Sequence, residues 1–141
     1  SREILERYWQ GVLTMPSRML FVARLDGVIC GTAQLVLPPR NNEAQSFSVT
    51  LTTNFITPWA RKGHGLGKKL LEEVEKKALE EGYSVINLDV RETQEAAIGL
   101  YERSGYVHCG THPYYARIDD RIVKGRYYYK VIDPQAVEQM P

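Results

Sequence analysis

Two apolar runs on either side of an Asp-Gly pair dominate the first third of the chain. Residues 19–25 and 28–37 are mainly aliphatic, and residues 26–27 separate them. Asp-Gly between apolar runs favours a tight hairpin turn, because glycine tolerates the positive φ that such turns require. The pattern therefore predicts an antiparallel pair of strands. Residues 47–57, rich in Thr, Val, Phe and Ile, predict the next strand.

Helical periodicity is clearest in residues 67–81, where apolar residues form one stripe and charged residues cover the rest. Weaker periodicity predicts helices over residues 1–14 and 93–104. Three further apolar runs predict strands over residues 84–90, 106–110 and 125–132.

This order of elements indicates a single α/β domain with a mixed central sheet flanked by helices. A strand–helix–strand unit over residues 47–90 implies a right-handed crossover between parallel neighbours, whereas the hairpin before it implies antiparallel pairing. The last two strands are expected to be joined by a loop that carries Asp119 and Asp120.

Composition narrows the class of protein. The chain has 141 residues, 43% hydrophobic and 25% charged, which is typical of one globular domain. Its net charge of +1 provides no basic field for nucleic acid. No apolar run approaches the roughly 18 residues of a membrane span, and the charged start is unlike a signal peptide. We therefore expect a cytoplasmic protein with no nucleic-acid or membrane partner.

Cysteines and histidines predict no metal site. Cys30 and Cys109 lack a Cys-x-x-Cys spacing, and His108 and His112 have no partner at ligand spacing. We expect Cys109 to be a small core residue rather than a nucleophile.

The segment with the most chemical content is residues 61–68, Arg-Lys-Gly-His-Gly-Leu-Gly-Lys, between a predicted strand and the strongest helix. Its alternate glycines let a ligand approach the backbone, and the helix start offers unpaired N–H groups to an anion. A phosphate site is therefore predicted, with a plain glycine-rich turn as the alternative. Lys69 excludes a Walker loop and Lys68 excludes a dinucleotide fingerprint.

Two motifs resemble the GNAT N-acetyltransferase superfamily. Lys62-x-x-Gly65-x-Gly67 is similar to the family's acetyl-coenzyme A loop, Arg/Gln-x-x-Gly-x-Gly/Ala. Residues 88–106, Leu-Asp-Val-Arg-Glu-Thr-Gln-Glu-Ala-Ala-Ile-Gly-Leu-Tyr-Glu-Arg-Ser-Gly-Tyr, resemble a strand followed by Asn-x-x-Ala-x-x-Leu-Tyr-Glu and Gly-Phe/Tyr. The resemblance implies a GNAT domain over residues 1–132, without the strand and helix that usually open it, and a tail over residues 133–141.

The resemblance implies acetyl-CoA as the co-substrate, held mainly by backbone amides, with no metal. Two positions depart from the family pattern: Lys62 replaces Arg or Gln, and Gln94 replaces Asn. The residues expected to bind the cofactor are Phe55, Ile56, Thr57, Lys62, Gly63, His64, Gly65, Leu66, Gly67, Lys68, Gln94 and Ala97.

By the same resemblance, Tyr101 is the general acid that protonates the departing thiolate, since a phenol is protonated at neutral pH. Residues 47–59 lack the carboxylate that many family members carry before the glycine loop. The resemblance to relatives that acetylate protein N-termini, in which a Glu at this spacing from the Tyr is the base, implies Asp89 as the candidate base, with Glu92 and Glu43 as weaker alternatives. Asp89 could instead be tied to Arg91 or to a helix N-terminus. The oxyanion donor is expected to be a backbone N–H in residues 54–56.

The function implied is transfer of acetyl from acetyl-CoA to a primary amine of a small molecule, by direct attack in a ternary complex. The alternatives are acetylation of a protein N-terminus and a non-catalytic acyl-CoA sensor. Whether the protein forms a homodimer is left open. Residues that could attract or enclose a cationic amine are Asp119, Asp120, Tyr114, Tyr115 and Trp59, although the acidic pair is better explained as a turn former.

Overall fold

The structure, a computed structural model, describes residues 3–10, 18–39, 43–56 and 65–138. Within these ranges it contains seven strands, three helices and one short 3-10 turn, Glu43–Gln45. The strands are β1 (Glu3–Gln10), β2 (Arg18–Leu25), β3 (Val28–Val36), β4 (Ser48–Ile56), β5 (Val85–Arg91), β6 (Val107–Ile118) and β7 (Arg121–Val131). The helices are α1 (Leu66–Glu80), α2 (Glu95–Arg103) and α3 (Pro134–Glu138).

All seven strands form one sheet in the order β1-β2-β3-β4-β5-β7-β6. The pairing of β4 with β5 is parallel and spans the crossover through α1, whereas the other neighbouring pairs are antiparallel. The predicted α/β domain with a mixed sheet is therefore confirmed. The predicted β2–β3 hairpin is also confirmed, since Asp26 and Gly27 both have positive φ in its turn.

The apolar stripe of α1 packs on one face of the sheet. Leu70, Leu71 and Val74 are at most 1% exposed and join a cluster that contains Phe21 and Ile86. Fully burying a side chain of this size stabilises the fold by roughly 1.5–3 kcal/mol. This packing fixes α1 and α2 on one side of β4 and β5, so the start of each helix has a defined place beside these strands.

The helix predicted over residues 1–14 is wrong for the part that the structure describes. Residues 3–10 form β1, whose eight residues pair with β2 from Glu3 opposite Leu25 to Gln10 opposite Arg18. A short amphipathic helix is marginal by itself, whereas a strand at this position forms a full ladder of backbone hydrogen bonds. Tertiary pairing therefore overrides the local periodicity.

The last two strands are longer than predicted, and no long loop joins them. β6 and β7 meet in a two-residue turn, with φ 48° at Asp119 and 63° at Asp120. Both positive values fit a tight hairpin turn, in which Asp is tolerated. The interpretation of the acidic pair as a turn former is confirmed.

Cys109 is exposed, so its prediction as a core residue is wrong. It lies on β6, an edge strand whose residues are exposed on both faces over most of its length.

Candidate active site

The site begins where β4 and β5 stop pairing. These strands pair at only three positions, residues 48–50 with 85–87, whereas β5 pairs with β7 along all seven of its residues. The strands part beyond this point and leave a cleft of about 400 Å³. The cleft is lined by Thr50, Leu51, Thr52, Asn54, Asp89, Val90, Arg91, Gln94, Ala97, Tyr101 and Tyr115.

A bulge in β4 shapes one wall of the cleft. Thr52 pairs with Gln34 and Phe55 with Thr32, so two residues of β4 oppose the single Ala33 of β3. In a regular strand Asn54 would share the face of Thr52, but an extra residue re-aims the side chains that follow it. Asn54 accordingly reaches the helix side, where its Nδ2 donates to the Tyr101 hydroxyl at 3.1 Å.

Tyr101 lies on α2 and is 5% exposed. Burial raises the pKa of its hydroxyl, and the hydrogen bond from Asn54 opposes that rise in part. Because the oxygen accepts from Asn54, the hydroxyl proton is left for another acceptor, and none is found among the described residues. A protonated hydroxyl on a residue that lines a cleft has the property that a general acid needs.

Asp89 lies on β5 at the opposite side of the cleft, and it is exposed. The Tyr115 hydroxyl donates a hydrogen bond to its Oδ1. Burial, followed by this hydrogen bond and the negative charge of Asp89, raises the pKa of Tyr115 to about 12, while Arg91 opposes the rise. Asp89 is therefore held by Tyr115, which neither of the sequence-based alternatives included.

The weaker candidate bases lie elsewhere. Glu92 has an oxygen 3.9 Å from the Arg126 Nε, and Glu43 is exposed in the 3-10 turn. Neither residue lines the cleft. Asp89 is thus the carboxylate among the described residues that shares an opening with Tyr101.

The start of α1 has the features of an anion site. Gly65 caps the helix with φ 61°, and the first bond of the helix runs from the Lys69 amide to the Gly65 carbonyl at 3.0 Å. The amides of residues 66–68 therefore have no acceptor within the helix. The described first turn carries no acidic residue, and among the described residues other than its chain neighbour no atom lies within 4 Å of a Cβ built at Gly65. The unpaired amides and the lack of negative charge in the described first turn suit this helix start to a phosphate group.

The described residues among those predicted to bind the cofactor have different surroundings. Gln94 and Ala97 line the cleft, and Lys68 is exposed in the first turn of α1. Leu66 is 1% exposed, so only its backbone could contact a ligand. A Cβ at Gly67 would lie 3.2 Å from Leu100, which shows that this glycine allows α1 to approach α2.

Ile56 is half-buried between the two apolar clusters, and Phe55 contributes backbone to β4. The other four predicted cofactor residues lie outside the described residues; they are Thr57, Lys62, Gly63 and His64.

Two residues of the site were missed or understood only in part. The Asn54 side chain was not predicted to contact Tyr101, because the bulge that re-aims it leaves no local pattern. Tyr115 was expected to enclose the acceptor, but its bond to Asp89 depends on strand register. Tyr114 is 76% exposed and does not line the cleft, and Trp59 lies outside the described residues.

No metal centre is formed by the described part of the chain. His108 Nε2 lies 2.9 Å from the Gly110 carbonyl oxygen, and His112 Nδ1 accepts from the Tyr114 amide at 3.0 Å. Among the described helices, none is long and apolar enough to cross a membrane.

Comparison with known proteins gives the family. Residues 2–106 match the sequence profile of the acetyltransferase (GNAT) family. The chain belongs to the GNAT acetyltransferase family. A curated relative from Azospirillum brasilense, an uncharacterized N-acetyltransferase in the hisH-hisA intergenic region, is 63% identical over 94 residues. This match covers 67% of the chain but spans only about half, 55%, of the relative's length.

Solved structures share this GNAT fold. An N-acetyltransferase from Staphylococcus aureus Mu50 has a TM-score of 0.74 at 21% identity, covering 82% of this chain and 68% of that one. A ribosomal-protein-alanine N-acetyltransferase from Brucella melitensis has a TM-score of 0.70 at 26% identity, covering 81% and 68%. YncA, a putative acetyltransferase from Salmonella typhimurium solved with acetyl-CoA, has a TM-score of 0.71 at 22% identity, covering 82% and 65%. The predicted family and fold are thereby confirmed.

Proposed function

We propose that this GNAT domain transfers an acetyl group from acetyl-CoA to a primary amine of a small molecule, by direct attack in a ternary complex. The observation that carries the proposal is the cleft between the parted strands β4 and β5. Tyr101 and Asp89, which line this cleft together, support it. Family membership supports acetyl-CoA as the acyl donor.

The described residues fit the coenzyme at two places. The amides of residues 66–68 would donate hydrogen bonds to the diphosphate, and the described residues leave room for it beside Gly65. Backbone groups of β4 beyond Thr50 have no partner on β5, so they would hold the pantetheine arm through hydrogen bonds. Gln94 and Ala97 would line its path.

Asp89 and Tyr101 would each transfer a proton in the proposed reaction. When bound, acetyl-CoA would supply a thioester carbon to the amine nitrogen: the C–N bond forms, the C–S bond then breaks and coenzyme A leaves as the thiol, while the second proton lost by the nitrogen replaces the one that Tyr101 gives to sulfur. Asp89, directly or through water, would remove a proton from the incoming ammonium group. Tyr101 would hold a proton at its Oη for the departing sulfur, which suits a hydroxyl whose oxygen already accepts from Asn54.

A second candidate acceptor is the α-amine of a protein N-terminus. Two observations favour it: the 26% identical Brucella melitensis structure is named for acetylating a ribosomal-protein alanine, and Asp89 is exposed rather than enclosed. The third alternative, a sensor without turnover, would use the same cleft for binding alone.

Calorimetric titration of acetyl-CoA into the full chain tests the binding step, with desulfo-CoA and ATP as comparison ligands. We expect micromolar binding that is lost in Gly65→Glu. The matched control is Gly82→Glu at the other end of α1. Gly82 also has positive φ, 90°, and no described atom lies within 4 Å of a Cβ built there, so this variant likewise places a glutamate at a positive-φ position. Binding lost equally in both variants would contradict the proposed place of the diphosphate.

Thiol release then distinguishes the acceptors, measured with a panel of small primary amines and a panel of peptides with free N-termini. Faster turnover of a small amine supports the proposal, whereas faster turnover of peptides supports the second candidate. Binding of acetyl-CoA without turnover of any acceptor would leave the sensor.

A further inference from the structure

A bulge in β6 sends Tyr115 across the sheet. His112 pairs with Gly125 and Ala116 with Val123, so the three residues between them on β6 oppose only Lys124. The His112 ring holds this bulge, because its Nδ1 accepts from the Tyr114 amide at 3.0 Å. Bulges re-aim the side chains that follow them. Tyr115 is therefore free to turn back over the neighbouring strand β7.

Gly125 leaves the space that the Tyr115 ring occupies. A Cβ built at Gly125 would overlap three atoms of that ring, so no residue with a side chain fits here without moving Tyr115. The ring also contacts Tyr127 edge-on, with centroids 6.4 Å apart and planes at 85°. Through this gap the Tyr115 hydroxyl passes over β7 and reaches Asp89 on β5.

We propose that Tyr115 is a positioning residue, whose hydroxyl orients the Asp89 carboxylate toward the acceptor through a gap that Gly125 keeps open. The inference rests on the proposed function, since it assumes that Asp89 receives the proton of the amine. It assigns a task to the β6–β7 hairpin, which lies outside both sequence motifs that identified the family.

The direction of the hydrogen bond defines this role. Tyr115 donates to Asp89 Oδ1, which leaves Oδ2 to face the ammonium group of the acceptor. The pKa of Tyr115 is raised to about 12, so the hydroxyl stays protonated and remains a donor over the working range of pH. Tyr115 keeps its proton throughout, while the proton taken from the amine is received by Asp89.

Two variants separate the hydroxyl from the placement of the ring. Tyr115→Phe removes the hydroxyl and keeps the ring, whereas Gly125→Ala keeps the hydroxyl and displaces the ring. We expect each variant to lower kcat about tenfold or more, with the Kd for acetyl-CoA within twofold of the parent chain. Combining them should lower kcat no further than the worse single variant, because both break one contact. Tyr114→Phe, at the exposed neighbouring position, is the matched control and should leave kcat unchanged.

A double-mutant cycle with Asp89→Asn tests whether Tyr115 acts through Asp89. In the Asp89→Asn background, Tyr115→Phe should lower kcat no further. An undiminished loss in that background would overturn the proposal, since Tyr115 would then act on the acceptor directly. Full activity of Tyr115→Phe would overturn it too.

If the proposed acetyl transfer is wrong, the result differs from a failure of the Tyr115 proposal. It would appear as an absence of turnover in the parent chain, before any variant is compared. We expect the unfolding curve of Tyr115→Phe to match that of the parent chain, which would exclude a general loss of structure. This variant keeps the test decisive if Gly125→Ala does not fold.

Discussion

The two sides of the cleft each present a tyrosine hydroxyl, but the hydrogen bonds run in opposite directions. On the helix side Tyr101 is 5% exposed and accepts from Asn54, so its proton is not engaged by a described residue. On the open side Tyr115 donates its proton to Asp89. One hydroxyl is thus ready to give a proton away, while the other uses its proton to hold a carboxylate.

This difference indicates that the hydrogen-bond partner, rather than the pKa, would separate the two proposed roles. Burial raises the pKa of both tyrosines, so both are protonated at neutral pH. A shifted pKa alone would therefore make them equal candidates for the general acid. Only the direction of each hydrogen bond shows which proton is available.

Of the variants that test this comparison, Tyr101→Phe should lower kcat the most. Removing the hydroxyl takes away the proposed proton donor, and general acid catalysis typically contributes about 100-fold or more. We expect kcat for thiol release to fall about 100-fold, while the Kd for acetyl-CoA changes less than threefold. A kcat within threefold of the parent chain would show that sulfur leaves without help from Tyr101.

Local patterns were enough to predict most of the helices and strands. The β2–β3 hairpin follows from Asp26-Gly27, and α1 follows from its apolar stripe. Both signals lie within a few neighbouring residues. β1 was predicted as a helix because its periodicity is ambiguous in isolation, and only the open edge of β2 decides in favour of a strand.

Residues of the candidate site could be predicted from the sequence where they belong to a family motif. Tyr101 and Asp89 came from a family pattern, and the structure brings them to one cleft. The contacts on which their proposed roles rest depend on strand register. Asn54 reaches Tyr101 because β4 has an extra residue opposite Ala33, and Tyr115 reaches Asp89 across β7. Register is a property of paired strands, so the sequence of one strand does not reveal it.

Asn54→Ala, on the helix side of the cleft, should lower kcat by an intermediate factor. The hydrogen bond from Asn54 lowers the pKa of Tyr101, so its loss should raise that pKa further and make the hydroxyl a weaker acid. We expect kcat to fall about tenfold, by a factor that stays constant from pH 7 to 9 because Tyr101 is protonated throughout. The readout is the pH profile of thiol release.

Asn87→Ala is the control for this change. Asn87 is exposed on β5 and does not line the cleft, so its removal should leave kcat within twofold. Equal losses in the two variants would mean that Asn54 matters only for packing of the sheet.

Tyr106→Phe should give the smallest effect, and it should act on stability alone. The Tyr106 ring lies 5.8 Å from that of Tyr101, but its hydroxyl donates to Glu75 at 3.0 Å and does not face the cleft. Glu75 keeps its ion pair with Lys130 at 2.9 Å, so the variant leaves no unpaired carboxylate. We expect the free energy of unfolding to fall by about 0.5–1.5 kcal/mol, measured by urea denaturation, with kcat within twofold. A tenfold loss of kcat would show that Tyr106 supports Tyr101, and the helix side of the cleft would then depend on more than its bond to Asn54.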